Sequence, residues 1–488
     1  GDPWAREHEL TLALHDALIE AAFIAGDHEA VALRAQAVIQ ACAEPLEQVE
    51  ARVALIQSLS ARLCMTEAVA ESRRALDSLG VAVPSPLRMP RAMLELLAVW
   101  GKLERGGLAR LTELPEAEDP LHIARCRVMS AAMLGAVSCE PPLLLLLNAR
   151  TVRMALTHGM HPEVSFALAG ISFILAGPMG QHRAGLKVVE TAQRMVDRPG
   201  YEAVYTRVNY MARSYIAPLF DPVSKSIAAL RGLVLRGREL GDIEFASLSA
   251  GVLMMQAMFV AGDLEGLLAE AMGYRRVVHK LGREMAIYVV DVYTQLIANL
   301  AGHGDETVTL TGEYWLEQEH EALARFVADN DLVALMLYYM AKTFAAAFHG
   351  DFATAARAHR ESGPYRLAQS GQAPVFPWFR VVGIVSTLAL ETQPGSAGAR
   401  SAVRALRSEL GYLRKIAGLS SENYGFGLEL ALGEQARLRG RKEEARDHYR
   451  RAVDLSQGAG LIGFEAFCRE RQARFLLSIG ETEAGAAA

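Results

Sequence analysis

Apolar residues recur along this chain at three- and four-residue spacing, the period of a helix with one buried face. Leu253, Ala257 and Val260 lead into Gly262, and Ala353, Ala355 and Ala356 follow Gly350. No stretch of useful length alternates apolar and polar residues as a half-buried strand does. Glycines punctuate the pattern. Gly159, Gly200, Gly241 and Gly282 stand 41 residues apart and read as helix ends, and the beat continues at Gly371, Gly418 and Gly458. Tight turns fall inside the units, at Gly26-Asp27-His28, Gly180-Gln181-His182, Gly262-Asp263-Leu264, Gly350-Asp351-Phe352 and Gly440-Arg441-Lys442. This rhythm predicts stacked helical hairpins, because one hairpin cannot bury its own apolar face. The expected fold is all-α, a solenoid of elongated repeats of about 40 residues.

The clearest unit is Leu428 to Gln457, LELALGEQARLRGRKEEARDHYRRAVDLSQ. Leu432-Gly433, the turn at Gly440-Arg441, and Ala445, Tyr449 and Ala452 resemble the tetratricopeptide pattern. Glu429 replaces its usual Trp, and Ala436 its usual aromatic. Around this unit the layout is an N-terminal array over 1–302 and a C-terminal array over 303–488. Hairpins are expected at 3–41 and 44–80, followed by an irregular insert at 81–119. The insert opens on Pro84-Ser85-Pro86, carries a lone helix from about Met89 to Arg105, and ends in the acidic turn Leu114–Pro120. There Asp119 and Pro120 fit the N-cap and first position of the next helix. Gly302-His303-Gly304-Asp305 reads as a flexible joint, with the second array starting near 306 and a capping helix at 462–477. Residues Thr392–Gly398 read as an exposed loop and Glu483–Ala486 as a trailing linker.

Composition narrows the picture. Hydrophobic residues make up 51% and aromatics only 7%, which suits tightly packed helices. A net charge of −6 predicts no global nucleic-acid surface, so direct nucleic-acid binding is not expected. Cys42, Cys64, Cys126, Cys139 and Cys468 are scattered and read as reduced, buried thiols of a cytoplasmic protein. The uncharged stretches Val164–Gly180 and Phe245–Gly262 carry internal Ser and Gly, and they read as buried solenoid helices rather than membrane spans.

Motifs for phosphate loops, dinucleotides, nucleophilic serines, zinc proteases and calcium loops are missing, so a non-enzyme without cofactor is expected. His158 and His161 read as a polar turn rather than a metal site, and Glu317, Glu319, His320 and Glu321 as a solvated helix face. Met254, Met255, Met258 and the run Leu143–Leu147 read as core.

A binding surface follows from the repeat likeness. In a tetratricopeptide superhelix, positions ten, six and three before the turn glycine face the concave groove. Here they are Asp16, Glu20 and Phe23; Val252, Gln256 and Phe259; Met340, Phe344 and Ala347; and Leu430, Glu434 and Arg437. Such a mixture suits a peptide or small-ligand groove. The alternative is that long repeats close the groove and these residues pack.

Four segments carry a more specific likeness: LPEAEDPLHIARCRVMSAA, GISFILAGPMGQHRAGLKVVETA, GDIEFASLSAGVLMMQAMFVAGD, and SENYGFGLELALGEQARLRGRKEEARDHYRRAVDLSQGAGLIGFEA. Together they resemble the tetratricopeptide-like region of large bacterial signalling proteins. Those proteins place a serine/threonine-kinase-like domain and a STAND/AAA-type ATPase before this region, and a GAF domain and histidine kinase after it. The resemblance implies a non-catalytic sensor or scaffold that binds protein partners or flanking domains. More distantly the chain resembles the ligand-sensing superhelix of the maltose-regulon activator, which implies a small-molecule inducer as the alternative.

Overall fold

The computed structural model describes residues 3–304, 306–391 and 393–487. Helices fill them. Among the described residues there is no strand, and one isolated bridge joins Glu116 to Met160. The fold is an α-solenoid of antiparallel helix pairs, each packed on its neighbours.

A short local code builds the hairpins. At Gly26 the chain takes φ 77°, which ends the helix His8–Ala25, and the next residue, Asp27, accepts the Ala30 N–H at 3.0 Å to start His28–Ala41. Gly350 and Asp351 repeat the device, with φ 77° and a 3.0 Å bond from Thr354. The regular beat is real in backbone terms over its first four members, while Gly371 and Gly418 do not take a positive φ. Gly159, Gly200, Gly241 and Gly282 all have positive φ, whereas at the last repeat Gly460 takes the role expected of Gly458, which stays helical.

The first hairpins are His8–Ala25 with His28–Ala41 and Val49–Ala61 with Met65–Ser78. In the insert, Met89–Lys102 packs on Pro141–His158, and the acidic turn is pinned by Ala117 N–H to Met160 O (2.7 Å). Asp119 caps Pro120–Ala131 through the Leu121 N–H, as expected. The helices Pro162–Ala176 and Ile243–Ala257, uncharged beyond Glu163 and Glu244 in their first turns, are buried along almost their whole length. No described helix is long and apolar enough to cross a membrane. His158 stacks near His122 with ring centroids 5.3 Å apart, while His161 caps Glu163, so the two histidines serve separate turns.

Four expectations need correction. The second array does not resume near 306: its first helix is Glu319–Ala328. The intervening loop is tied to the core by Asn299 to Thr309 O (2.6 Å), Gln295 to the Tyr314 N–H (2.9 Å) and Lys342 to Val308 O (3.0 Å); Asp305 of the expected joint lies outside the described residues. Glu319 is likewise no solvated residue, because its carboxylate binds Lys342 and the Tyr338 hydroxyl, each at 2.9 Å. Finally, the expected linker at 483–486 lies in the short helix Thr482–Ala487. Of the loop expected at Thr392–Gly398, Thr392 is outside the described residues and Ala397 already begins the helix Ala397–Ala417.

The main core runs without a break from Val49 to Leu476, across the position proposed as a domain boundary. A separate small cluster around Ile19, Val31, Ala35 and Val38 belongs to the first hairpin. The last long helix, Ile462–Ser478, does more than cap. Phe464 stacks on Phe259 at 4.5 Å between centroids, and the Gly463 N–H bonds to Phe259 O at 3.0 Å. Asn423 also ties the second half to the first, donating to Pro218 O (2.8 Å) and Asp221 O (2.7 Å).

Candidate ligand cavity

The superhelix curves until its first hairpin touches the turn after Lys280. The guanidinium of Arg283 donates to Phe23 O at 2.8 Å and lies 4.2 Å from the centroid of the Phe23 ring. His28 bonds Gly282 O at 3.1 Å, and a Cβ on Gly26 would stand only 3.0 Å from Leu281 O. On another side Asn330 donates to Cys139 O at 2.9 Å. The arc encloses a cavity of about 700 Å³, within the size range of small-molecule sites.

Its wall is mainly apolar. Leu144, Leu248, Val252, Met255, Val289 and Leu337 supply aliphatic surface. Phe166, Phe173, Tyr210, Tyr215 and Phe245 form an edge-to-face aromatic wall, with Phe173–Tyr215 centroids 4.9 Å apart and Phe166–Phe245 centroids 5.3 Å apart.

Charged groups are set into this surface. Arg127 is paired with Glu50. Arg207 is held by Asp242 (3.2 Å) and Glu163 (3.5 Å) and lies over Phe166 and Phe245; those two carboxylates outweigh the effect of burial and keep it firmly charged. Glu244 is served less well. Its nearest guanidinium nitrogen, on Arg283, is 3.9 Å away, and its Oε1 is buried with no partner. Burial pushes its carboxyl up to about 7, Arg283 opposing and Asp242 reinforcing the rise. Burial also raises Asp16, against the pull of Arg127, and Asp16 Oδ1 has no partner.

Of the residues selected by repeat register, Asp16, Glu20, Phe23 and Val252 line this cavity. The others do not. Gln256 is buried and donates to Ala373 O at 3.3 Å. Phe259 and Phe344 sit edge to face at 4.9 Å in an aromatic core with Trp378, and Met340 and Ala347 are wholly buried. Glu434 lies between Arg437 (2.8 Å) and Arg471 (2.7 Å), and Arg437 further binds Glu391 O and Leu388 O. The physical reason is the returning helix Ile462–Ser478, whose Phe464 and Arg471 occupy the space a groove would need. Arg127, Arg207, Tyr210, Asp242 and Glu244 were not singled out by register. For Asp242 and Glu244 the signal in the sequence is a charge at the head of an otherwise apolar helix; Arg127, Arg207 and Tyr210 sit in mixed helices and carry no such signal.

Two other features have ligand chemistry. His8, Cys42 and Glu47 place ligand atoms within 4.8 Å of one another and can hold a metal, although burial and Glu47 push the Cys42 thiol up to about 11, which opposes the thiolate a metal needs. A surface groove beside Ala397–Ala417 is lined by Arg400, Arg404, Arg407, Arg414, Arg439 and Arg441. Among the described residues only Arg441 of these six has a carboxylate within salt-bridge distance, Glu444 at 3.0 Å.

No family model matches the chain, and no curated protein does. Among solved structures it is similar to one described as a "Circular tandem repeat protein with novel repeat topology and enhanced subunit contact surfaces". That likeness has 13% identity over 98% of both chains and a TM-score of 0.13, too low to support any argument about the site.

Proposed function

We propose that this chain is a non-catalytic sensor module whose central cavity takes a small, largely apolar molecule with a polar end. One observation carries the reading: a partly open cavity of about 700 Å³, bounded on one side by contacts between residues more than 250 positions apart, holds charged groups whose hydrogen-bonding capacity the chain leaves unmet. Buried polar groups without protein partners cost stability unless water or a ligand serves them, and a bound molecule with a polar end would supply those partners. The first hairpin supplies Asp16, Glu20 and Phe23 to the wall yet has its own small core, so occupancy would bias how firmly it closes on Arg283. In a multidomain signalling protein of the STAND-ATPase type, that shift would be the transmitted signal.

The test is a thermal-unfolding screen against a metabolite library, run on the wild-type chain and on Val252→Trp, which fills the cavity. The expected result is a compound that raises the wild-type midpoint and leaves the variant unmoved. Equal effects on both, or none on the wild type, would remove the reading.

The arginine groove favours a second reading, a protein partner. Its lining includes Val403, Leu410 and Leu438 and no aromatic ring on which a base would stack, so an acidic peptide with apolar residues suits it better than nucleic acid. A labelled Glu/Leu peptide should bind in a salt-sensitive way and be lost on Arg404→Ser/Arg407→Ser/Arg414→Ser. Unchanged binding to the triple variant would remove this reading.

A further inference from the structure

We infer that the molecule held in the cavity carries a positive charge, seated against Glu244, Glu20 and Asp16, with its apolar body on Val252, Leu248 and the aromatic wall. This rests on the sensor reading above and names its ligand class.

The inference comes from pairing the charges one by one. The cavity is lined by the carboxylates of Asp16, Glu20, Glu50, Asp242 and Glu244, with Glu163 directly behind Arg207. Against these six stand three guanidiniums, those of Arg127, Arg207 and Arg283. Two of the three are committed. Arg127 takes Glu50, and Arg207 is shared between Asp242 and Glu163. Arg283, fully buried, spends one nitrogen on Phe23 O, and the one of its nitrogens within salt-bridge range of Glu244 is 3.9 Å away, too long for a hydrogen bond. What remains is an acidic surplus on the cavity side, Asp16 Oδ1 and Glu244 Oε1, both buried without a partner, and the exposed carboxylate of Glu20; Arg283 keeps Nε and Nη1 unpartnered but lies outside the lining.

These groups share a wall. Asp16, Glu20 and Phe23 lie at i, i+4 and i+7 on one helix face, and Phe23 contacts Arg283, which stands beside Glu244. The acidic row therefore runs roughly 10 Å from Asp16 towards Glu244, at about 1.5 Å per helical residue. An anionic ligand entering here would meet the surplus carboxylates first: Arg127 and Arg207 are already paired, and Arg283, whose Nε and Nη1 have no hydrogen-bond partner, is fully buried and is not among the lining residues. A neutral ligand would leave the surplus in place, further dried by its own body. A cation removes it, and the electron-rich ring faces of the aromatic wall add to the attraction. Raised carboxyl pKa values at Glu244 and Asp16 are the expected mark of a site waiting for that charge.

The experiment uses the full chain and a library of amines, alcohols and carboxylates on matched aryl-alkyl skeletons, tryptamine, tryptophol and indole-3-acetate among them. Binding is read by thermal shift and confirmed by calorimetry on wild type, Val252→Trp, Glu244→Gln and Asp16→Asn. The expected result is that compounds lost in Val252→Trp are amines, and that each neutralising variant weakens them at least tenfold while unfolding as cooperatively as wild type. Cavity binders that are alcohols or carboxylates, or amines indifferent to both neutralising variants, would overturn the charge inference and leave the cavity reading standing. If no compound is lost in Val252→Trp, the cavity reading itself fails, and this inference with it.

Discussion

Glu244 and Glu434 are glutamates on the first helix of a repeat, one largely and the other wholly removed from solvent, and their surroundings are opposite. Glu434 is fully buried, yet Arg471 and Arg437 at 2.7 and 2.8 Å outweigh the burial and hold its carboxyl below the usual range. Glu244 has one guanidinium at 3.9 Å and a free oxygen, and burial carries its carboxyl up to about 7. The second half of the chain supplies its own counter-charges and fills its interior with Phe344, Trp378 and Phe464, all three packed on Phe259 of the first half. In the first half, repeats of the same kind enclose open space and leave charge unmatched. A solenoid interior can thus be used for stability in one stretch and for binding in another.

Removing a counter-charge from the satisfied site should give the largest effect. Arg471→Met leaves Glu434 buried with one partner and is expected to cost about 3 kcal/mol or more in chemical denaturation, since a broken buried pair strands its other charge. An unaltered denaturation midpoint would show that the second half does not depend on that compensation.

The same register position offers a sharper contrast at smaller scale. Val252 lines the cavity, whereas Leu430 is fully buried in packed core. Leu430→Trp should therefore destabilise by about 1–3 kcal/mol through overpacking, while Val252→Trp should change stability by less than about 1 kcal/mol because the ring has room. Equal losses at the two positions would mean that the first-half space is not open. Smallest of all, Arg404→Ser/Arg407→Ser/Arg414→Ser should stay within about 0.5 kcal/mol of wild type, because these exposed side chains have no partner to lose.

Much of the fold was legible because it is local. The Gly-Asp turns at 26–27 and 350–351 carry both the stop of one helix and the cap of the next, and the beat of Gly159, Gly200, Gly241 and Gly282 marks real left-handed helix ends. The site was legible only where the groove survives. Asp16, Glu20 and Phe23 line the cavity, but an identical count from Gly350 and Gly440 lands on packed residues. Register fixes which face of a helix looks inward. Whether that face meets space depends on the returning helix, whose Phe464 reaches Phe259 across more than 200 residues and whose Arg471 reaches Glu434 across 37, contacts that no local pattern encodes. Glu244 was missed for a related reason: its isolation is a property of the assembled cavity, not of its neighbours in sequence.

The most direct measurement compares Glu244→Gln with Glu434→Gln by chemical denaturation at pH 5 and pH 8, without ligand. A carboxyl whose folded pKa is raised to about 7 favours the fold while protonated and loses that contribution as pH rises through 7. Glu244→Gln should therefore be about 3 kcal/mol more stable than wild type at pH 8, a rise from 4.5 to about 7 at about 1.4 kcal/mol per pKa unit, and within about 1 kcal/mol of it at pH 5. Glu434, whose folded pKa is lowered, contributes stability above the ordinary carboxylate range, so Glu434→Gln should be less stable at both pH values. Destabilisation by both variants at pH 8 would contradict the account, because it would mean that Glu244 already has its partner within the chain.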